Sequence, residues 1–181
     1  MNTTLLIVMG VSGCGKSTIA RKLAAIYDLN FIEADDFHSE QAIRHMANER
    51  PLTDSMRQPW VDQIKHSLKI NAQCNRNTVL AFSGLRYAHR ESCRYIFPNT
   101  LFIHLKASHK TIQERINQRQ NHFMPASLLD SQFTALEPNK DEPDMLEMDA
   151  TGSIELILEN ARYHIKHHLD NHLTVQNHEK N

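Results

Sequence analysis

The feature that most constrains this chain is a glycine-rich segment, Gly10-Val11-Ser12-Gly13-Cys14-Gly15-Lys16-Ser17. It fits G-x-x-x-x-G-K-[ST], the P-loop, whose backbone amides cradle nucleotide phosphates. The run Thr4–Met9 before it is mostly apolar, as a parallel strand buried on both faces is. After it, Ile19, Leu23 and Ile26 recur at helical spacing. A strand, a P-loop and a helix in this order predict an α/β protein with a nucleotide site at the carboxyl edge of its sheet.

Each part of the P-loop has its own predicted contact with the nucleotide. Glycines let the backbone approach the phosphates closely, so that successive N–H groups converge on one anion. Lys16 is predicted to bridge the β- and γ-phosphates, and the Ser17 hydroxyl to complete the coordination of Mg²⁺. Cys14 is expected to contribute its backbone amide rather than a reactive thiol. The predicted cofactors are ATP and Mg²⁺, and the predicted nucleotide-binding residues are Gly10, Val11, Ser12, Gly13, Cys14, Gly15, Lys16, Ser17 and Thr18.

The pattern along the chain alternates between strands and helices. Strands alternating with helices predict right-handed βαβ units and a five-stranded parallel sheet with helices on both faces. We expect one domain over residues 1–170 and a frayed polar tail over 171–181. Ser108 is a predicted N-cap. The predicted strands are Thr4–Met9, Asn30–Ile32, Thr78–Phe82, Thr100–Leu105 and Asp144–Met148, and the helical patterns after the first helix cover 39–48, 60–70, 86–94, 108–118, 127–136 and 154–169.

Composition excludes several classes of protein. With 20 Lys and Arg against 21 Asp and Glu, the chain has a formal net charge of -1 and no basic field for nucleic acid or an anionic membrane. Its apolar runs are too short for a signal peptide or a membrane span. Three cysteines without metal-ligand spacing favour a reducing compartment. We therefore expect a cytoplasmic protein that binds neither nucleic acid nor membrane.

An acidic cluster follows the second predicted strand. Glu33, Asp35 and Asp36 come just past its carboxyl end, the edge where ligands bind in an open α/β sheet. A carboxylate there can accept the proton of an attacking hydroxyl or hold Mg²⁺ through water. Glu33 or Asp36 is the candidate for contacting Mg²⁺ in this way.

Several further blocks occur in a fixed order along the chain. They are Asp35-Asp36-Phe37-His38, Pro51-Leu52-Thr53-Asp54 with Arg57, Pro59 and Trp60, Arg115 and Arg119, His122-Phe123-Met124-Pro125, Leu128-Leu129, Ser131-Gln132-Phe133 and Leu136-Glu137-Pro138. In order and spacing, these blocks and the P-loop resemble the gluconokinase (gluconate kinase) family. The resemblance implies a P-loop three-layer α/β fold of the nucleoside-monophosphate-kinase type. It also implies a mobile lid at about 119–136, an acceptor-side insertion at about 37–60 and, as is frequent in the family, a homodimer.

The resemblance further implies a reaction and the residues that carry it. ATP would phosphorylate D-gluconate to 6-phospho-D-gluconate, and the anionic sugar acid suits arginine partners. The implied catalytic residues are Lys16, Asp35 beside the acceptor hydroxyl, and Arg119, which would close over the transferring phosphoryl group. Trp60 is expected in the helix core. The implied substrate-binding residues are Asp35, His38, Arg57, Arg86, Arg90 and His122, and Arg115 joins the nucleotide-binding residues.

The chain departs from the family pattern mainly on the acceptor side. Such changes matter because a site built to hydrogen-bond hydroxyl groups is sensitive to a lost partner. Three interpretations stay open: a gluconokinase with compensated contacts, a kinase of the same fold for another sugar acid, polyol or shikimate-like acceptor, and a non-catalytic nucleotide-binding regulatory protein. The altered positions are Ser39, Ala42, His45, Glu49 (usually Gly) and Met56, followed by Gly84, Arg86 (usually Lys), His89 (usually Tyr) and Cys93.

Overall fold

One parallel sheet organises the fold. The computed structural model describes residues 3–118, 125–137 and 142–178. Within them, five parallel strands lie in the order β2-β3-β1-β4-β5, with every residue of the central β1 buried. The five-stranded parallel sheet expected from the alternating pattern is confirmed. The strands are β1 (Thr4–Met9), β2 (Asn30–Glu33), β3 (Thr78–Ala81), β4 (Asn99–Lys106) and β5 (Met145–Asp149).

Helices connect these strands. Ser39, Thr53 and Ser108 each cap a helix, because their side-chain oxygens accept the backbone N–H of the residue three positions later. The predicted N-cap at Ser108 is confirmed. The helices are α1 (Lys16–Tyr27), α2 (Glu40–Ala47), α3 (Asp54–Gln73), α4 (Tyr87–Ile96), α5 (His109–Asn117), α6 (Leu129–Ala135) and α7 (Ile154–His178), with 3₁₀ turns at Ala34–Phe37 and Ala126–Leu128.

Two helices differ from their predicted lengths. α3 begins at Asp54, with Pro59 inside it, rather than at Trp60. Its first turns are mostly exposed, so the apolar period used to locate the helix starts only at Trp60. α7 continues to His178, although a frayed tail was predicted from residue 171. Neither Pro nor Gly follows Ile154 to end it.

The sheet is covered on both faces, which gives three layers. Alternate residues of β1 point to opposite sides: Leu6 and Val8 pack with α1, α5 and α7, whereas Leu5 and Ile7 pack with α3 and α4. A small third cluster, Ala42, Met46, Leu52 and Leu128, ties α2 to the start of α3 and to the turn before α6. In the described part of the chain, no helix is long and apolar enough to cross a membrane.

Candidate active site

The P-loop forms a tight turn between β1 and α1. Gly10, Gly13 and Gly15 all have positive φ, at 135°, 87° and 102°. A Cβ added to Gly10 would lie only 2.7 Å from the carbonyl oxygen of Leu105 in β4. Only glycine fits there, since both the backbone conformation and the space exclude a side chain. The loop therefore closes onto the carboxyl end of the sheet, with its amides at the start of α1.

Two side chains of the P-loop have partners near the predicted phosphate site. Lys16 Nζ donates a hydrogen bond to the carbonyl oxygen of Val11 at 3.0 Å, so its ammonium group folds back over the loop. Burial raises the pKa of the Glu33 carboxyl, although a hydrogen bond from Ser17 opposes that rise. Glu33 is therefore next to Ser17, whereas Asp36 is exposed. Of the two carboxylates predicted to contact Mg²⁺, Glu33 has the position that fits.

A cavity beside the P-loop brings the acceptor-side residues together. It encloses about 790 Å³ of empty space, including the solvent at its mouth. We call it the Asp35 pocket. Its charged and polar groups come from the P-loop, the turn after β2, α3, the segment that leads from β3 into α4, and α6. It is lined by Ser12, Lys16, Asp35, His38, Met46, Pro51, Leu52, Arg57, Trp60, Ser83, Leu85, Arg86, His89, Leu128, Ser131, Gln132 and Ala135.

Two arginines of this pocket share one carboxylate. Arg57 Nη1 lies 2.9 Å and Arg86 Nη2 3.1 Å from Asp54 Oδ1. The side chain of Asp54 is 76% exposed, so water screens its charge. Burial lowers the pKa of Arg57. The carboxylate of Asp54 opposes this shift, and the positive charge of Arg86 adds to it. Arg86 Nη1 also lies 4.0 Å from Glu137 Oε1, whose side chain is 43% exposed. Because both carboxylates are exposed and screened by water, the two guanidinium groups on the pocket side still attract an anion.

Two histidines line the same pocket. Burial lowers the pKa of His38, opposed by Asp35, and its ring stacks on Trp60 with centroids 4.5 Å apart. Burial lowers the pKa of His89, and the positive charges of Arg57 and Arg86 lower it further. Both imidazoles are therefore neutral near pH 7, and a neutral imidazole can both donate and accept a hydrogen bond, as an alcohol does.

The sequence predictions for Trp60 and His89 are incomplete. Trp60 is 6% exposed and packs in the core as expected, with its indole N–H donated to the carbonyl oxygen of Ala34 at 2.6 Å. Trp60 also lines the Asp35 pocket. His89 was not among the predicted substrate residues. Its place on α4, three residues after the N-cap Arg86, is a signal that could have identified it, although the same rule also selects Arg90, which is directed to Glu142.

Arg90 corrects one prediction. Its side chain has no exposed surface: Nε and Nη2 bind the two carboxylate oxygens of Glu142 at 2.9 and 2.6 Å, and Nη1 donates to the carbonyl oxygens of Gly84 and Leu85. Arg94 also binds Glu142, at 2.6 Å. Arg90 lies outside the lining of the Asp35 pocket and joins α4 to the segment before β5. Its prediction as a substrate-binding residue is wrong.

A second cavity lies on the other side of the P-loop. We call it the Arg115 pocket. Arg115 Nη2 donates to the carbonyl oxygen of Ala150 at 2.7 Å, which holds the guanidinium beside the loop after β5. The pocket includes Thr18 and Arg115, both predicted to bind the nucleotide. Its lining is Gly13, Cys14, Gly15, Thr18, Ile19, Arg115, Gln118, Ala150, Gly152, Ile154 and Ile157.

The P-loop separates the two cavities and contributes to both. Ser12 and Lys16 face the Asp35 pocket, whereas Gly13, Cys14 and Gly15 face the Arg115 pocket. A nucleotide in the Arg115 pocket would direct its terminal phosphate past the loop toward Asp35. The site can therefore bring a phosphate donor and an anionic, hydroxyl-bearing acceptor into contact.

The unusual acceptor-side residues fall into two groups. Ala42 and Met56 pack in or against the small apolar cluster of α2, and neither lines the Asp35 pocket. Glu49 adopts a left-handed φ of 61° at the position where the family usually has Gly. Of these altered residues, only Arg86, at the N-cap of α4, and His89, on α4, line the pocket. The predicted residues Arg119 and His122 belong to residues 119–124, the part of the predicted lid (about 119–136) that lies outside the described residues.

The chain is similar in sequence and structure to known proteins. A family model described as "AAA domain" matches residues 5–139. The thermosensitive gluconokinase of Escherichia coli (strain K12) is 36% identical over 157 residues, covering 86% of this chain and 84% of that protein. The gluconokinase of Gluconobacter oxydans (strain 621H) is 35% identical over 162 residues, with coverages of 89% and 90%. The solved structure of a gluconokinase from Sinorhizobium meliloti 1021 has a TM-score of 0.83 at 32% identity, covering 97% of this chain and 98% of that one.

Proposed function

The chain belongs to the gluconokinase family, and on that premise we propose that it transfers the γ-phosphoryl group of ATP to the 6-hydroxyl group of D-gluconate. One observation carries the assignment of the acceptor side: Arg57 and Arg86 share a cavity with Asp35 directly beside the P-loop. Such a cavity suits a molecule with a carboxylate at one end and hydroxyl groups along its length. The names of the relatives favour gluconate over shikimate or a neutral polyol.

The proposed mechanism assigns a role to each side of the P-loop. The nucleotide occupies the Arg115 pocket, while the loop amides and Lys16 hold its phosphates. Arg57 and Arg86 hold the gluconate carboxylate, and Asp35 orients the attacking hydroxyl group and accepts its proton. The hydroxyl oxygen bonds to the γ-phosphorus as the bond to the β–γ bridging oxygen breaks, which yields 6-phosphogluconate and ADP. Positioning and charge stabilisation supply most of the rate.

Mg²⁺ fits the donors present at this site. Ser17 supplies a hydroxyl group and Glu33 a carboxylate beside it, and Mg²⁺ in proteins keeps several waters and binds through few protein ligands together with phosphate oxygens. When bound, the ion would neutralise charge on the β- and γ-phosphates. The roles of Arg119 and His122, a homodimer and a cytoplasmic location stay predictions.

An acceptor panel tests the proposal. ADP release with Mg·ATP is measured with gluconate, other aldonates, shikimate, polyols and nucleoside monophosphates. We expect gluconate to be turned over and neutral polyols not to be, because Arg57 and Arg86 would lack an anionic partner. Turnover of another acceptor in preference to gluconate would contradict the assignment. ATP binding without turnover of any acceptor would favour a regulatory protein.

The role of Asp35 has its own test. Asp35→Asn keeps the shape of the side chain but removes most of its basicity, so kcat should fall by about 10²–10⁴-fold while the affinity for ATP changes little. Asp62→Asn, an exposed aspartate on α3 that lies outside the pocket, is the matched control. An equal loss of turnover and ATP affinity in Asp35→Asn would instead indicate a metal-binding role.

A further inference from the structure

Gln132 of α6 makes an unusual contact with the P-loop. The backbone N–H of Ser12 donates a hydrogen bond to Gln132 Oε1 at 2.6 Å. A P-loop amide is a donor for a phosphate oxygen, and here the carboxamide oxygen of a residue 120 positions away accepts that hydrogen bond. The contact therefore holds an acceptor at a point where a phosphate would supply one.

The position of Ser12 identifies which phosphate is involved. Ser12 faces the Asp35 pocket, whereas the next three residues of the loop face the Arg115 pocket. The Ser12 amide thus lies at the boundary that a transferred group must cross. With the nucleotide base in the Arg115 pocket, the γ-phosphoryl group is the part of ATP that reaches this boundary.

Contacts with the core, with α5 and with the segment before α4 hold α6, the helix that carries Gln132, in place. Leu129 is 1% exposed and packs in the main core, and Asp130 binds His109 Nε2 of α5 at 2.7 Å. Just after α6, the backbone N–H of Glu137 donates to the carbonyl oxygen of Leu85 at 2.8 Å. These contacts hold α6 near both of its ends, and the helix places Gln132 beside the P-loop.

A glutamine can respond to an arriving phosphoryl group in a way that few side chains can. Its carboxamide has an acceptor oxygen and a donor NH₂ on the same carbon. A phosphoryl oxygen and Gln132 Oε1 would repel each other if both approached the Ser12 N–H. Rotation of the carboxamide removes that repulsion and turns its NH₂ group toward the phosphoryl oxygen.

We propose that Gln132 distinguishes ATP from ADP: its carboxamide oxygen occupies the Ser12 amide until a γ-phosphoryl group displaces it, and its NH₂ group then donates to that phosphoryl group. The inference rests on the proposed use of ATP, and it adds a phosphoryl-contacting residue from α6. Two donors, Ser12 N–H and Gln132 N–H, then stabilise the charge that develops during transfer. After transfer the phosphoryl group leaves with the acceptor, and the Gln132 contact with Ser12 forms again around ADP.

Calorimetric titration without acceptor tests the inference. Mg²⁺ complexes of ADP and of a non-hydrolysable ATP analogue are titrated into the wild-type protein and into Gln132→Glu. The glutamate still accepts from Ser12 but cannot donate, and it repels the γ-phosphate. We expect the variant to bind the ATP analogue at least 10-fold more weakly and ADP within about 2-fold of wild type, which also shows that it is folded. The proposal would be overturned if Gln132→Glu bound the ATP analogue as tightly as the wild type does. It would also be overturned if the variant lost affinity for the ATP analogue and for ADP by the same factor.

Two further variants separate this role from a structural one. Gln132→Ala should bind ADP normally but lose at least about 10-fold in kcat with gluconate, since one phosphoryl donor is absent. A kcat within 2-fold of wild type would count against the proposal. Thr134→Ala is the control for the integrity of α6, because its exposed hydroxyl group donates within the helix, to the carbonyl oxygen of Asp130. The binding arm needs no acceptor, so it remains decisive even if gluconate proves not to be the substrate.

Discussion

The P-loop and the Asp35 pocket adjoin each other but use different parts of the chain. A P-loop binds phosphate through consecutive backbone amides, and the positive φ of glycines such as Gly10 gives this loop the conformation for it. The Asp35 pocket relies on side chains from the turn after β2, α3, α4 and α6. A backbone site is encoded locally, so one short motif suffices to identify it. A side-chain site depends on which way each residue points after the elements pack.

The largest expected effect tests the nucleotide side. Lys16→Ala removes the ammonium group that should bridge the phosphates, and kcat should fall by at least about 10³-fold with the fold intact. Coupled measurement of ADP release gives the rate. Lys22→Ala, an exposed lysine on the same helix, is the control. Near-normal turnover in Lys16→Ala would break the assignment of the P-loop.

Arg90→Ala tests the claim that this arginine is structural. Among the described residues, truncation leaves the buried Glu142 with Arg94 as its remaining ion-pair partner, and we expect the free energy of unfolding to fall by about 3–5 kcal/mol. Urea denaturation measures the loss. The KM for gluconate in the folded fraction should stay near the wild-type value. A stable variant with a greatly raised KM would return Arg90 to the substrate-binding residues.

Arg86→Ala, at the N-cap of the same helix, provides the matched comparison. Arg86 faces the pocket and its side chain is 39% exposed, so stability should change by less than about 1 kcal/mol. The KM for gluconate should rise about 10- to 100-fold, because a charge-assisted hydrogen bond to the carboxylate is lost. The KM for ATP should be unaffected. A rise in the KM for both gluconate and ATP would contradict the assignment of Arg86 to the acceptor side alone.

Glu49→Gly tests an acceptor-side residue that has no part in the pocket. A non-glycine residue in the left-handed region costs about 1–2 kcal/mol, and glycine loses about 0.5–1 kcal/mol through greater freedom in the unfolded chain. The variant should therefore gain about 0.5–1 kcal/mol in stability, read from a raised Tm. Glu49→Ala keeps the strain and should show no gain. Unchanged gluconate kinetics in Glu49→Gly would agree with its position outside the pocket.

The smallest expected effect is a pH dependence of stability from His38 and His89. Burial lowers both folded pKa values below that of the unfolded chain, so the unfolded state takes up protons first as pH falls. The contribution of these two histidines to the free energy of unfolding has its full value above about pH 6.5 and decreases below it. Thermal melts between pH 5 and 8 measure the slope. His89→Asn should make the slope shallower, and an unchanged slope would show that His89 does not contribute.

Sequence alone determined the P-loop, the alternation of strands and helices, and the five-stranded parallel sheet. These depend on glycine conformation and on apolar periodicity, which are properties of short segments. The start of α3 was missed because its exposed first turns carry no such period, and the end of α7 was missed because neither Pro nor Gly marks it in the sequence. Arg57, Arg86, His38 and Asp35 were predicted from the resemblance, and the structure brings all four into one pocket.

Only the tertiary structure decided which α4 side chains face the pocket and which support it. Arg86 and Arg90 are four residues apart, yet Arg90 is directed to Glu142, which lies 52 positions further along the chain. The contact between Gln132 and Ser12 joins residues 120 positions apart. No local pattern encodes such partners, because they are set by how α4, α6 and the sheet pack against one another. An eight-residue motif is enough to identify the P-loop, because its function depends on local backbone conformation. The acceptor pocket is identified only from the folded structure, because its side chains come from distant segments.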